Sequence, residues 1–328
     1  MIGKVFELIC TPNFFYSIIR MATPLIFASM AALISTKSGT VNIIIDGSML
    51  MSALMGNLIS AFTGSLLWGM LAGCATGTLM GGFLALFHVK MKAPANLTGV
   101  AINLFTTGFS VFLCYVCSGD KGSTSQLTGR VFPTVDIPFI KDIPFIGKVV
   151  SGHNVITYLA LITIVLVWLF IYKTPLGLRI RTVGENPDAA SSVGENPNRI
   201  KVIALLIAGF VSSWGGMFLS MGYVSWFTRN MTNARGFIGV AANAVGQGNP
   251  LWVALTTFVF AISDALTVVL QSLMVPTEFT SMLPYVLTLT IVVLMALKYQ
   301  NKQKSLRKKA IEAILQERKA VAERVGKA

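Results

Sequence analysis

Long apolar runs recur along this 328-residue chain, and they constrain its fold more than any other feature. A helix needs about 20 apolar residues to cross the ~30 Å hydrocarbon layer of a bilayer. Charged residues make up only 12% of the chain, against ~25% in soluble domains. The sequence therefore predicts an all-α, polytopic membrane protein with about 9–10 transmembrane segments. The predicted spans are 15–36, 43–62, 66–87, 98–118, 153–172, 200–222, 236–248, 249–272 and 280–298.

The seventh run, residues 236–248, is too short and too rich in glycine to be an ordinary span. Basic segments next to spans lie preferentially on the cytoplasmic side, and both the 174–201 loop and the end of the chain are basic. Three ordinary spans after that loop would put the end of the chain outside. We therefore expect a broken or re-entrant helix between Tyr223 and Asn249 to add one crossing, shielded from lipid by other helices.

This count of crossings defines the predicted domains. Residues 1–298 form a transmembrane permease domain, in which 119–152 is an external loop and 174–201 is a cytoplasmic loop. Residues 299–328 form a basic, cytoplasmic tail whose predicted helix is attracted to anionic lipid headgroups. No removable signal peptide is expected at the start of the chain. By this count the first residues of the chain lie outside the cell. One additional span near the N-terminus would reverse the sidedness of that end alone.

The two halves of the chain show a faint repeat at an offset of 184 residues. Residues 64–71 align with 248–255, and a tryptophan lies at the same place in both segments. The same offset aligns the first span with the sixth, which the loop charges assign to opposite directions. The repeat therefore predicts two inverted halves, an arrangement common in transporters. Chance matching of apolar sequence is the alternative explanation.

The 174–201 loop contains the same five residues twice, at 183–187 and at 193–197. Each copy ends in Asn-Pro, and Asn is a favoured helix N-cap while Pro suits the first helical position. The first copy is predicted to start a short helix over 188–193, which Gly194 ends. The second copy starts the next span. A short helix between two spans, flanked by arginines, indicates a docking element for a soluble partner.

Polar side chains within the spans are the candidates for a translocation pathway or gate. Asp46 and Asp264 lie in apolar runs, and Asn243 lies in the segment predicted to be broken. Asn42, shortly before Asp46, lies in a second candidate broken segment, in the first half of the chain. In a functional interpretation each carboxylate lines the pathway or holds the gate. In a structural interpretation it accepts hydrogen bonds from Ser, Thr or the free N–H groups of a broken helix. The sequence leaves both interpretations open.

The sequence argues against several other kinds of protein. It has no G-x-x-x-x-G-K-[ST] motif, so another chain must use ATP and Mg²⁺. It has no His, Cys and carboxylate cluster at ligand spacing, so we expect no bound metal or cofactor. Much of the net charge of +13 lies in the tail, so the charge does not indicate nucleic acid binding. A membrane enzyme is a distant alternative, because no nucleophile–base pair is evident.

Three stretches together resemble the hallmarks of bacterial ABC-importer permeases for nucleosides and simple sugars. They are residues 23–50, 183–190 and 235–251, which appear in the family's order. The beginning of the first stretch, Thr-Pro-Leu, is most similar to the nucleoside branch. The chain departs from the family at Ile44 and Asp46, where Gly and Glu are usual, and at Gly194-Glu195, where Gly-Ile is usual.

The resemblance implies a fold like that of the vitamin-B12-type importer permeases and a pore-forming subunit that is not itself an enzyme. It also implies a bacterial plasma-membrane complex with two ATPase subunits, a second permease (a related chain or the same one) and an extracellular solute-binding lipoprotein. An ion- or proton-coupled secondary transporter is the alternative, which the inverted repeat and Asp264 would also fit. The residues implied to contact the ATPase are Gly184, Glu185, Asn186, Pro187, Asp188, Ala189, Ala190 and Gly194.

Overall fold

Helices make up nearly all of the regular structure of this chain. The computed structural model describes residues 11–127, 129–136 and 146–273, together with scattered positions between 276 and 293. Among these residues the strands are one antiparallel pair, β1 (Thr134–Val135) and β2 (His153–Asn154). Seven of the helices in this described part of the chain are long and apolar enough to cross a bilayer. The prediction of an all-α, polytopic membrane protein is therefore confirmed.

The helices follow the predicted spans closely as far as residue 273. The ninth predicted span, the first ten residues and the basic tail lie largely or wholly outside the described residues. In chain order the helices are α1 (Pro12–Lys37), α2 (Ile45–Thr63), α3 (Leu66–Ala85), α4 (Ala95–Ser118), α5 (Ile146–Val150), α6 (Val155–Lys173), α7 (Pro175–Glu185), α8 (Pro187–Ser192), α9 (Pro197–Met217), α10 (Arg235–Val245) and α11 (Pro250–Ser272). A π-helical turn extends α3 over Leu86–Lys90, and another extends α9 over Phe218–Tyr223.

The segment that was predicted to be a broken crossing contains the short helix α10. Its 11 residues span about 16 Å at ~1.5 Å per residue, which is half of a hydrocarbon layer. Before it, the amide of Arg229 donates to the carbonyl of Gly122, which follows α4 (2.8 Å). After it, Gly248 lies beside the side chain of Lys37, the last residue of α1. The segment therefore connects the two ends of the helix bundle through a half-length helix, as predicted.

A second break precedes α2. Residues 38–44 are non-helical and lead from the end of α1 into the bundle, where Asn103 on α4 holds them. The Asn103 side chain donates to the carbonyl of Ile43 (2.8 Å) and accepts from the amide of Gly47 (3.0 Å). Asp46 in the first turn of α2 lies directly against Gly236 in the first turn of α10. The two broken segments thus meet inside the bundle.

The helix positions agree with the predicted inverted repeat. Adding 184 to the first residue of α1 gives 12 + 184 = 196, and α9 begins at Pro197. The same sum for α3 gives 66 + 184 = 250, and α11 begins at Pro250. Helices α1 and α9 pack antiparallel, because Arg20 lies beside Tyr223 while Pro24 lies beside Gly215. The faint sequence match therefore corresponds to equivalent helices that run in opposite directions.

Glycines allow α3 to pack closely on its neighbours. A Cβ atom at Gly73 would collide with Met217, and one at Gly81 would collide with the carbonyl of Leu205. Both contacts lie on α9, whose backbone therefore approaches that of α3 closely. Small residues at such positions are typical of helix packing in membranes, where close van der Waals contact drives association.

Candidate functional site

The connection between α6 and α9 consists of the two short helices α7 and α8, and both predicted Asn-Pro helix starts are present. The side chain of Asn186 accepts from the amides of Asp188 and Ala189, each at 3.1 Å. The side chain of Asn196 accepts from the amides of Asn198 (3.1 Å) and Arg199 (3.2 Å). These bonds satisfy N–H groups that have no partner within their helix. The repeated pentapeptide therefore starts α8 and α9, as predicted.

The prediction of this region as a loop around one short helix was incomplete. Residues Pro175–Glu185 form α7, which has the same kind of start. The Thr174 side chain accepts from the amide of Gly177 (3.0 Å), and Pro175 occupies the first helical position. Ile180 and Val183 are fully buried and hold α7 against the bundle. Thr174-Pro175 was a signal in the sequence that could have revealed this helix.

Helix α8 presents a small polar and apolar surface to solvent. Pro187, Asp188 and Ala189 are exposed, and Val193, just after the helix, is 79% exposed. Ala190 is only 3% exposed, so it holds α8 on the protein and does not face outward. The helix ends before Gly194, whose φ of +86° is the left-handed conformation that glycine adopts most easily.

Gly184 joins this region to the end of α1. A Cβ atom at position 184 would overlap the carbonyl oxygen of Lys37 and press on the backbone of Gly39. The last turn of α7 therefore touches the end of α1 and the start of the 38–44 break directly. The two backbones are in contact there without an intervening side chain.

An ion pair also joins the two ends of the segment that contains α8. The Nε atom of Arg179 on α7 lies 2.8 Å from Oε1 of Glu195, just before α9. Both side chains are partly exposed, so the pair contributes only about 0–1 kcal/mol to stability. The pair joins α7 to the start of α9 on either side of α8.

Asp46 contacts the start of the broken helix α10. Its Oδ1 atom accepts from the amide of Gly236 (3.0 Å), and its Oδ2 atom accepts from the hydroxyl of Thr232 (3.2 Å). A carboxylate at this place is favourable, because the first amides of a helix carry a partial positive charge. The observed contacts are those of the structural interpretation, in which the carboxylate holds two helices together.

The other polar residues predicted for a pathway have separate environments. Asp264 on α11 lies 3.9 Å from the Nε atom of Arg235, at the start of α10. Asn42 is buried, and its side-chain oxygen accepts from the amide of Ile44 (3.1 Å). Asn243 is buried on α10 and donates to the hydroxyl of Thr36 (2.9 Å). All four lie at helix breaks or beside α10, but these contacts do not gather them into one site.

Two cavities flank α10. The larger, here called the Lys37 cavity, has a volume of about 560 Å³ and lies between the ends of α1 and α6, helix α7 and the second half of α10. The smaller has a volume of about 170 Å³ and includes Arg20, Tyr223 and Arg235. The sequence did not predict either cavity. The Lys37 cavity is lined by Thr36, Lys37, Val41, Tyr172, Arg181, Gly184, Glu185, Val240, Asn243, Ala244, Gln247 and Gly248.

Comparison with known proteins gives consistent matches along the chain. Residues 14–292 match the family described as the permease component of the branched-chain amino acid transport system. The chain is 30% identical over 279 residues to the guanosine ABC transporter permease protein NupQ of Bacillus subtilis, covering 82% of this chain and 87% of the relative. It is 29% identical over 286 residues to the nucleoside ABC transporter permease protein NupC of Lactococcus lactis, covering 83% and 89%.

A third relative has a different printed solute. The chain is 30% identical over 259 residues to the putative glucose ABC transporter permease protein TsgC13 of Haloferax volcanii, covering 78% of this chain and 77% of the relative. No solved structure matches the chain significantly.

Proposed function

The chain belongs to the family of permease components of the branched-chain amino acid transport system type, and from this membership we propose that it is the pore-forming subunit of an ATP-driven nucleoside importer. It is a multi-pass membrane protein with seven helices of spanning length among the described residues. The family match covers residues 14–292, nearly the whole transmembrane part. As a permease subunit the chain forms the path, and its partners supply the energy.

The proposed solute is a nucleoside, with a simple sugar as the second candidate. Two relatives named for guanosine or nucleosides align over 82% and 83% of this chain. The glucose-named relative has the same identity as the guanosine-named one and aligns over 78%. The relatives named for guanosine or nucleosides, together with the Thr-Pro-Leu sequence in α1, support a nucleoside as the solute. The glucose-named relative supports a simple sugar, which resembles the ribosyl part of a nucleoside.

Uptake by cells that express the chain with its importer partners tests the solute. We expect labelled guanosine to accumulate, and unlabelled nucleosides but not glucose to compete with it. Deleting only this chain is expected to abolish that uptake. Uptake of glucose that guanosine does not inhibit would favour the sugar alternative.

We propose that an ATPase subunit docks on α8 and that its ATP-driven closure moves α7 and α9. Helix α8 has an exposed surface of small side chains, and both neighbouring helices start with rigid Asn-Pro or Thr-Pro caps. From α7 the movement passes through Gly184 to the end of α1. Because α1 packs on α9, α10 and α11, its displacement would change access at the broken helices. A second permease and an extracellular solute-binding lipoprotein complete the proposed complex.

A charged residue on α8 tests this docking. Ala189→Glu is expected to abolish co-purification of the ATPase and solute uptake, because it places an unpaired carboxylate in a contact made by small side chains. Met91→Glu is the matched control, since Met91 is 64% exposed in the turn between α3 and α4 and does not belong to α8. Normal ATPase association of Ala189→Glu would contradict docking on α8. Uptake that persists without any ATPase would favour a secondary transporter.

A further inference from the structure

We propose that the Lys37 cavity is a binding site for a phosphate group that enters from the side predicted to be cytoplasmic. Its volume of about 560 Å³ lies within the range of roughly 300–1,000 Å³ typical of small-molecule sites. The walls come from the ends of α1 and α6, from α7, and from the second half of α10. Residues from distant parts of the chain therefore converge on one concave space that the proposed docking surface on α8 does not use.

The charges of the lining favour an anion. Lys37 and Arg181 supply two cations, and Glu185 supplies the one carboxylate, so the cavity has a net positive charge. No ion pair within 4.0 Å joins these three groups in the described part of the chain. The Arg181 guanidinium stacks over the ring of Tyr172 at 5.0 Å, which holds it in place, and its Nε atom has no hydrogen-bond partner. A planar guanidinium with free donors is well suited to phosphate oxygens.

An unsatisfied amide gives independent support for a ligand. Asn243 lines the cavity and is 3% exposed. One side-chain atom donates to Thr36, while the oxygen is buried and has no partner. Buried polar groups normally have a hydrogen-bond partner, and leaving one without a partner costs about 1–3 kcal/mol. A hydroxyl or a protonated phosphate oxygen of a bound solute would supply the missing donor.

The identity of the phosphate carrier rests on the proposed function, whereas the phosphate site itself rests on the geometry alone. An imported nucleoside or sugar is polar and neutral. Inside the cell, transfer of a phosphoryl group from a nucleoside triphosphate to one of its hydroxyls, with release of the nucleoside diphosphate, would give a phosphate monoester that retains the other hydroxyls. Such a monoester carries a dianionic phosphate, which Lys37 and Arg181 attract. It also carries hydroxyl groups, which can donate to the side-chain oxygen of Asn243. Inorganic phosphate shares the dianion but not the hydroxyl-rich body.

Because of where the cavity lies, we expect a ligand bound in it to act as a brake, that is, to slow transport. A ligand held by Lys37, Arg181 and Asn243 connects α1 and α7, which are displaced together in the proposed cycle, to α10, against which α1 must move. A phosphate monoester that accumulates inside is therefore expected to slow further uptake.

Site-specific protection in the complete complex tests the binding site. Ala244→Cys introduces a thiol into the lining in a chain whose native cysteines are replaced by alanine, and its rate of modification by a maleimide is measured. We expect ribose 5-phosphate and inorganic phosphate to slow the reaction, and ribose to have no effect. Stronger protection by ribose 5-phosphate than by phosphate would identify the monoester. Met91→Cys is the control thiol, whose rate should not change.

Charge variants in the Ala244→Cys background make the test specific. Arg181→Gln is expected to raise the concentration for half-protection by about tenfold or more, because it removes a charge-assisted contact. Glu185→Gln is expected to lower that concentration, since it removes the only carboxylate of the lining. Arg181→Lys retains the charge and covers the case in which Arg181→Gln does not fold. Equal protection by ribose, or no effect of Arg181→Gln in a folded complex, would overturn the proposal.

Vesicles containing the complex test the brake separately. Ribose 5-phosphate trapped on the side of α8 is expected to slow ATP-driven uptake relative to trapped ribose, and Arg181→Gln is expected to remove that difference. Equal uptake rates with trapped ribose 5-phosphate and with trapped ribose, in the chain without substitutions, would refute the brake. The protection experiment does not depend on transport, so its result stands even if the proposed solute is wrong.

Discussion

At the scale of single residues, Asp46 shows how a charge inside a span can serve packing. It belongs to α2, yet both of its hydrogen bonds go to the segment that starts α10, about 190 residues away in sequence. The amide of Gly236, a buried residue in the first turn of α10, needs an acceptor, and Asp46 on another helix supplies it. The neighbouring amides of Arg235 and Phe237 donate instead to the carbonyls of Thr232 and Ala234. This role explains the contacts without any solute, and a role in the gate stays a prediction.

Substitutions at both ends of this contact measure its contribution. Asp46→Asn is expected to reduce the free energy of unfolding by about 1–2 kcal/mol, because a charge-assisted hydrogen bond becomes a neutral one. Thr232→Val removes only the second bond and should reduce stability less. The midpoint of thermal unfolding of the purified chain shows which of the two variants loses more stability. Loss of uptake by Asp46→Asn at an unchanged midpoint would instead indicate a role in the pathway.

His153 makes the stability of the opposite end of the bundle sensitive to pH. Its ring stacks on Tyr16 at 4.0 Å, and Nε2 lies 2.9 Å from the carbonyl oxygen of Val149. Burial lowers the pKa of His153 below its ordinary value of 6.5; the Val149 bond opposes this shift, and the charge of Arg20 adds to it. The unfolded chain therefore takes up the proton first as the pH falls.

Because only the unfolded state gains this proton just below pH 6.5, the folded state loses stability as the pH falls from there toward the lowered pKa. We expect a lower unfolding midpoint at about pH 5.5 than at about pH 7.5. His153→Phe keeps a stacking ring without a titratable group, and it should remove part of that difference. The same pH dependence in both chains would show that His153 is not responsible.

At the scale of elements, the helix starts could be predicted because their signals are local. An Asn or Thr cap followed by Pro acts within one turn, so the pentapeptide repeat predicted α8 and the start of α9. The start of α7 has the same arrangement at Thr174-Pro175, with a threonine in place of the asparagine. The Lys37 cavity could not be predicted, because Lys37 and Arg181 come together only through the packing of α7 on the end of α1.

A methyl group tests the contact between α7 and α1. Gly184→Ala is expected to reduce ATP-driven uptake strongly, because its Cβ atom would overlap the backbone of Lys37 and displace α7. Gly108→Ala is the matched control, since nothing lies within 4 Å of a Cβ at that helical position. There the change should be neutral or stabilising by up to about 1 kcal/mol. Equal uptake by the two variants would show that the contact does not transmit the movement.

At the scale of the whole molecule, the two halves complete each other. Helix α3 of the first half packs on α9 of the second, and α11 of the second half packs on α1 of the first. Each half therefore buries its central helix, α1 or α9, against the other half. The repeat was faint in sequence because many apolar residues can fill one packing position. The starts of α1 and α9 preserve it better, since both have proline at the first helical position.

The last prediction concerns the sidedness that this inverted arrangement requires. Val193 lies beside α8, and Lys121 lies in the connection after α4, at the other end of the bundle; both are exposed. In a chain without native cysteines, we expect a membrane-impermeant maleimide to modify Lys121→Cys in intact cells and Val193→Cys only after permeabilisation. The physical reason is the excess of Lys and Arg around α7 and α9, which retains that end on the cytoplasmic side. The reverse pattern would place α8 outside, where no ATPase could reach it, and the proposed transmission through Gly184 would then have no source of energy.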